Sequence, residues 1–153
     1  MWVPPEVKDP VVLHAPTRKS LALFGAVRPS DGVMVAQQAS VFNALTFLDF
    51  LKMVVRHTRR GRKLILVLDN ARYHHAILLR DWLRRHKTRL TLLFLTPYSP
   101  DLNPIERVWK LTRHLCTHNQ YFQELQDLAG SVAEQLARWA GPNDCLRRLC
   151  AVN

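Results

Sequence analysis

The hydrophobic and polar positions of the chain change period several times. Ser20-Leu21-Ala22-Leu23-Phe24-Gly25-Ala26-Val27 and Val33-Met34-Val35-Ala36 are short apolar runs on either side of Arg28-Pro29-Ser30-Asp31-Gly32. Two such runs around a Pro-Ser-Asp-Gly turn predict a β-hairpin. From Ala44 the spacing becomes three and four: Ala44, Phe47, Leu48, Leu51, Val54 and Val55 share one helix face, with Asn43 as cap and Gly61 as exit. Leu64-Ile65-Leu66-Val67-Leu68 is an aliphatic run ending in Asp69, and Leu90 to Thr96 is a second. Short continuous apolar runs of this kind read as fully buried, parallel-type strands. Between them Leu78, Leu79, Trp82 and Leu83 predict an inward helix face, opposite Arg80, Arg84 and Arg85. A helix from Pro104 puts Ile105, Val108, Trp109, Thr112 and Leu115 on one side. A last helix turns Leu125, Leu128, Val132, Leu136 and Trp139 inward until Gly141-Pro142 stops it. Pro4, Pro5, Pro10 and Pro16 exclude a long helix at the start. The order of elements is that of an α/β protein with a mixed sheet.

Length and composition narrow this picture. The 153 residues suffice for one ordinary domain, and 48% hydrophobic content describes a globular chain. No apolar run approaches the ~20 residues of a membrane span, and Met1-Trp2-Val3-Pro4-Pro5 does not begin an export signal. Three cysteines (Cys116, Cys145 and Cys150) without a Cys-x-x-Cys pair argue against a disulfide framework and fit a reducing cytoplasm. Charge changes the picture most. Twenty-two Lys and Arg against twelve Asp and Glu give +10, and a chain this basic points to a polyanion, nucleic acid first.

Two carboxylates stand out. Catalytic and ligand-binding groups of parallel sheets sit at the carboxyl ends of the strands, which is where Asp69 falls. Aspartate also serves plain strand-to-helix turns, so Asp69 alone decides nothing. Glu106 follows the second strand just inside the next helix, and Asn103-Pro104-Ile105-Glu106 equally suits a capping box. Asp101 is a fallback carboxylate. If Asp69 and Glu106 come together, they suit a divalent metal. His114 and His118, one helical turn apart around Cys116, lack a second Cys/His pair at zinc spacing. His74-His75 has no serine or cysteine partner in a triad arrangement, and the five glycines form no phosphate loop.

Leu66-Val67-Leu68-Asp69-Asn70-Ala71-Arg72-Tyr73-His74, followed by Leu95-Thr96-Pro97-Tyr98-Ser99-Pro100-Asp101-Leu102-Asn103-Pro104-Ile105-Glu106-Arg107-Val108-Trp109, resembles the DDE transposases of the mariner superfamily. The match is nearest to their bacterial insertion-sequence branch, the six-thirty family, and covers about residues 20 to 120. The resemblance implies a ribonuclease-H-like fold in which three acidic residues hold two Mg²⁺ or Mn²⁺ ions. By it, Asp69 is the second acidic residue and Glu106 the third. Water would cut the end of the element, and the freed 3′-hydroxyl would then attack target DNA. Arg72, His74, Arg107, Lys110 and Arg113 are the expected DNA contacts.

In that family the first catalytic Asp lies on a strand before the segment that Trp2-Val3-Pro4 resembles. The expectation is therefore an α/β, ribonuclease-H-like mixed sheet flanked by helices but lacking its usual first, central strand. Residues 1–120 would form the partial catalytic domain and 121–153 a helical extension of it. The missing strand would expose sheet edges. The hairpin would then close onto the Asp69 strand, or the protein associate, or fold poorly. A two-carboxylate remnant is expected to bind metal weakly and to catalyse little alone. The expected partners are transposon-end and target DNA, with a further copy or an upstream-frame transposase half, in a bacterial cytoplasm. The alternative function is a DNA-binding or transposase-interacting fragment that does not cut.

Overall fold

A computed structural model describes residues 20–97, 102–118 and 120–151. The Trp2-Val3-Pro4 segment, the early prolines and the fallback carboxylate Asp101 lie outside the described residues. The predicted hairpin is present: β1 (Ala22–Val27) pairs antiparallel with β2 (Met34–Ala39), in register from Ala22↔Ala39 to Val27↔Met34. At its tip the Arg28 guanidinium grips both oxygens of Asp31, at 2.8 and 2.7 Å.

Helix α1 (Ala44–His57) starts on a reciprocal cap. The Asn43 side chain accepts from the Thr46 amide at 2.9 Å, and Thr46 Oγ1 accepts from the Asn43 amide at 3.1 Å. Its predicted face is largely the buried one: Phe47, Leu51, Val54 and Val55 are inside, joined by Phe50. Each of these fully buried side chains contributes about 1.5–3 kcal/mol relative to exposure. Strand β3 (Leu64–Leu68) lies parallel to β4 (Leu90–Phe94), from Leu64↔Leu90 to Leu68↔Phe94. The Leu95 amide extends the pairing by donating to the Leu68 carbonyl at 2.8 Å.

Strand β3 is not buried on both faces, as its aliphatic run suggested. Leu66 and Leu68 are buried, whereas Ile65 and Val67 are 57% and 43% exposed. Helix α1 and the segment after β3 pack on one side of the β3–β4 pair, and the opposite face, that of Ile65 and Val67, carries exposed Leu93 as well. The crossover from β3 to β4 also differs from the single helix expected. It is two 3₁₀ turns, Arg72–His75 and Ile77–Leu79, running into a short α2 (Arg80–Arg85). Leu79 is fully buried and Trp82 and Leu83 are half-buried, but Leu78 faces solvent, because the tighter winding rotates it off the inward face.

Three further helices follow: α3 (Pro104–Thr117), α4 (Leu125–Arg138) and α5 (Asp144–Leu149). On α3 the burial runs through Val108, Thr112 and Cys116, so Leu115 is exposed where it was expected inside. Helix α5 lies beyond Gly141-Pro142, where the helical periodicity ends, and Asn143 caps it by accepting from the Leu146 amide at 2.9 Å. Asn143 also donates to the Gly32 carbonyl at 2.8 Å, fastening the hairpin tip to α5.

The core has two parts on opposite sides of the hairpin. Phe24 faces α1, β3 and β4 with Phe47, Phe50, Leu51, Leu66 and Leu90. Met34 faces α3, α4 and α5 with Val108, Trp139, Leu146 and Cys150. The antiparallel and parallel parts are two separate two-stranded sheets among the described residues, so the hairpin is not hydrogen-bonded to β3. Both sheets instead line a cavity of about 1160 Å³. No helix among the described residues is long and apolar enough to cross a membrane.

Candidate active site

Asp69 follows immediately on the last residue of β3, and a short net of polar contacts fixes its loop. Its Oδ1 accepts from the Ala71 amide at 3.2 Å, a local turn that the preference of Asp for such positions explains. Next to it the Asn70 side-chain amide donates to the Leu95 carbonyl, tying the loop to the end of β4. The structural use of Asp69 and its exposure coexist: the side chain is 63% exposed, so the second oxygen is free of the turn and open to a ligand.

Beneath this loop lies His74, only 6% exposed. Its ring sits 4.3 Å from the Phe47 ring and 4.5 Å from Tyr73, centroid to centroid. Nδ1 lies 3.1 Å from the Asp69 carbonyl and 3.1 Å from Asp69 Oδ1. Both neighbours are acceptors, so Nδ1 carries the proton and donates. Burial pushes the His74 pKa below its ordinary value, against the pull of the Asp69 carbonyl and carboxylate. The ring is therefore neutral near pH 7. His74, expected among the DNA contacts, is thus a buried imidazole within hydrogen-bond reach of Asp69. Tyr73 beside it is held in its phenol form, its pKa raised by burial and by the charge of Asp69.

Glu106 occupies the first turn of α3, where a carboxylate is favoured by the helix dipole. The capping-box alternative is not formed. Asn103 makes no side-chain cap hydrogen bond, and the helix is entered through Pro104 and the Glu106 amide, which donates to the Asn103 carbonyl at 3.0 Å. The Glu106 carboxylate is exposed. One turn on, Trp109 packs against Gly25 of β1 and so sets α3 on the hairpin.

Asp69 and Glu106 line the same cavity, with Asn103, Trp109 and the aliphatic walls of β1 and β3. Among the described lining residues they are the two carboxylates. No group of three or more His, Cys, Asp or Glu suited to a metal occurs among the described residues. The pair is nonetheless made of hard oxygen donors on an open rim, and Mg²⁺ is commonly held by one or two carboxylates with waters and substrate phosphates. The donor set fits such an ion.

The remaining sequence candidates divide. Arg72, Lys110 and Arg113 are exposed. Arg107 Nη1 donates to the carbonyls of Leu149 and Ala151, at 3.1 and 3.2 Å, so the guanidinium fastens the end of α5 to α3. The His114 and His118 rings lie 5.1 Å apart, tilted by 32°, while Cys116 is buried with its thiol toward the Ser131 carbonyl, which leaves no shared metal geometry. Asn70, Gly25 and Trp109 are positioning residues that the sequence pattern does not single out. The polar Asn directly after Asp69 was the one local signal, because the Gly25–Trp109 contact joins distant segments.

Comparison with known proteins gives the family of the chain. Residues 1–129 match the model of the DDE superfamily endonucleases. A protein of Sinorhizobium fredii, described as uncharacterized protein y4pE/y4sA, is 30% identical over 106 residues, covering 69% of this chain and 75% of that one. The Tcb2 transposable-element transposase of Caenorhabditis briggsae is 33% identical over 98 residues, 58% of this chain and 35% of that one. An uncharacterized 39 kDa protein of insertion element IS630 from Shigella sonnei is 24% identical over 110 residues, 72% of this chain and 32% of that one. The chain thus spans about a third of the length of these last two relatives. Two crystal structures share the fold. The Mos1 strand transfer complex has a TM-score of 0.69 at 22% identity, over 98% of this chain and 44% of that one. The catalytic domain of the Mos1 mariner transposase has 0.66 at 20%, over 90% and 71%. The fold is that of the ribonuclease-H-like catalytic domain, and the chain belongs to the DDE superfamily endonucleases, among relatives from the mariner and IS630 transposases.

Proposed function

We propose that the chain is catalytic machinery of a transposase, cutting and joining DNA strands with Asp69 and Glu106 as two carboxylates of a Mg²⁺ or Mn²⁺ site. One observation carries this reading: the two acidic residues, from separate elements, line one cavity in a fold of the DDE family. A bound cation would neutralise charge developing on the phosphoryl oxygens of the displacement. The chain itself supplies the rest. The Ala71 amide and the neutral His74 hold Asp69 in place, and Trp109 seats the helix that carries Glu106. Exposed Arg72, Lys110 and Arg113 lie in the same two segments and are proposed to track the DNA backbone, whereas Arg107 is held by carbonyls. Two carboxylates bind a cation weakly, so strand cleavage by this chain alone is expected to be slow.

Nicking of supercoiled plasmid tests it. The expected result is slow nicking in Mn²⁺ that disappears with chelator and with Asp69→Ala or Glu106→Ala. Nicking that survives Asp69→Ala overturns the site. The net charge of +10 supports a second reading, a DNA-binding or transposase-interacting fragment. That reading takes over if DNA is bound and never nicked.

A further inference from the structure

The arginines of this chain are not spread evenly, and the parallel pairing of β3 and β4 collects many of them at one end. In-register pairing from Leu64↔Leu90 sets the beginnings of the two strands side by side. Each strand is entered from a basic segment: Arg56, Arg59, Arg60, Arg62 and Lys63 before β3, and Arg84, Arg85, Lys87 and Arg89 before β4. These are nine of the 22 Lys and Arg of the chain, and the two segments, 56–63 and 84–89, contain no Asp or Glu.

The segments form one surface. Arg89 Nη2 donates to the carbonyls of Val55 and Thr58, at 3.1 and 3.4 Å, and its own carbonyl accepts from the Leu64 amide at 2.8 Å. With Arg89 spent as a bracket, the other eight side chains are exposed. Among the described residues Arg84 is paired with Asp81 at 3.0 Å, and none of Arg56, Arg59, Arg60, Arg62, Lys63 and Lys87 forms an ion pair. The Arg59-Arg60-Gly61-Arg62 turn projects from this end. Gly61 has φ +82, and a Cβ there would meet nothing within 4 Å. Seven of the nine cations are arginine, the side chain whose planar fork matches phosphate oxygens in pairs.

Asp69 stands at the other end of the five-residue β3. At roughly 3.3 Å per residue the two ends are about 17 Å apart. We infer that the edge formed by residues 56–63 and 84–89 is a second, sequence-independent binding surface for the phosphate backbone of duplex DNA, separate from the carboxylate site. It rests on the reading of this chain as a DNA-handling protein but needs no metal. Its use would be to hold a stretch of DNA other than the one at Asp69.

The test is binding of two unrelated 30-base-pair duplexes, in chelator, as a function of salt. The wild-type chain is expected to bind both alike. Arg59→Gln/Arg60→Gln/Arg62→Gln should bind both more weakly and lower the slope of log affinity against log salt by about 3, one for each phosphate contact. These side chains are exposed and outside the core, so an unchanged melting temperature accompanies the expected result. An unchanged salt slope in the triple variant overturns the inference. So does a loss confined to binding of vesicles containing anionic lipid, with DNA binding intact. Plasmid nicking, which depends on Asp69, reads out separately, so either proposal can fail alone.

Discussion

The indole of Trp109 comes so close to Gly25 that a Cβ there would sit 2.6 Å from two atoms of the ring. Glycine at this strand position is what lets α3 approach β1, and α3 carries Glu106 one turn before the tryptophan. Gly25→Ala forces the indole away and is expected to cost about 1–3 kcal/mol, the usual range for overpacking. Thermal melting checks the cost. Adding Trp109→Ala should recover part of it, giving less-than-additive loss in the double variant. Simple additivity would show that the contact does not set the helix.

The two carboxylates should answer separately to a metal probe. Asp69→Asn keeps an oxygen to accept from Ala71, so the fold is expected to persist while Mn²⁺ affinity falls about tenfold or more. Glu106→Gln should do the same. The free Mn²⁺ resonance in an electron paramagnetic titration measures both. Wild-type affinity in either variant would remove that residue from the site.

Acid should weaken the fold through His74. The folded pKa is lowered from 6.5 by burial, so the unfolded chain takes up this proton at a pH where the native chain does not. The contribution of neutral His74 is full above about pH 6.5 and declines as pH falls below it, by at most about 1.4 kcal/mol per pH unit. His74→Gln should flatten the fall in denaturant stability between pH 6.5 and 5. An identical slope in the variant would place the titration elsewhere.

Arg107 is expected to matter for the C-terminus more than for DNA. Arg107→Gln removes a donor to the Leu149 and Ala151 carbonyls and should cost about 1 kcal/mol. Hydrogen exchange should rise in α5 ahead of the rest. A large drop in DNA affinity with α5 unchanged would reverse the assignment.

The parts legible in the sequence are those governed by local pattern. The hairpin, the Asn43 cap, the two parallel strands and the start of α3 at Pro104 follow from periodicity and turn chemistry. So does the position of Asp69 at a strand end. What failed depended on contacts between distant segments. An aliphatic run cannot say whether one or both faces of β3 are covered, and here one is. Leu115 and Cys116 exchanged places because the partners of α3 are the hairpin and two later helices, a wider arc than one stripe. Helix α5 is six residues long, too short for periodicity to reveal, although Asn143-Asp144 was a start signal. The capping box at Asn103 satisfied every sequence rule, yet the Asn103 side chain makes no cap bond. That leaves Glu106 free for another use.

The separation of the two sheets has a dynamic consequence. Backbone ladders lock β1 to β2 and β3 to β4, but among the described residues only side-chain packing, with Phe24 at its centre, joins one pair to the other. Such a junction can open without breaking a strand pairing. The hairpin with α3, α4 and α5 would then exchange its amides as one cooperative unit, and α1 with β3 and β4 as another. Asp69 belongs to the second unit and Glu106 to the first, so the cavity that both carboxylates line is complete only while the two units are closed on each other.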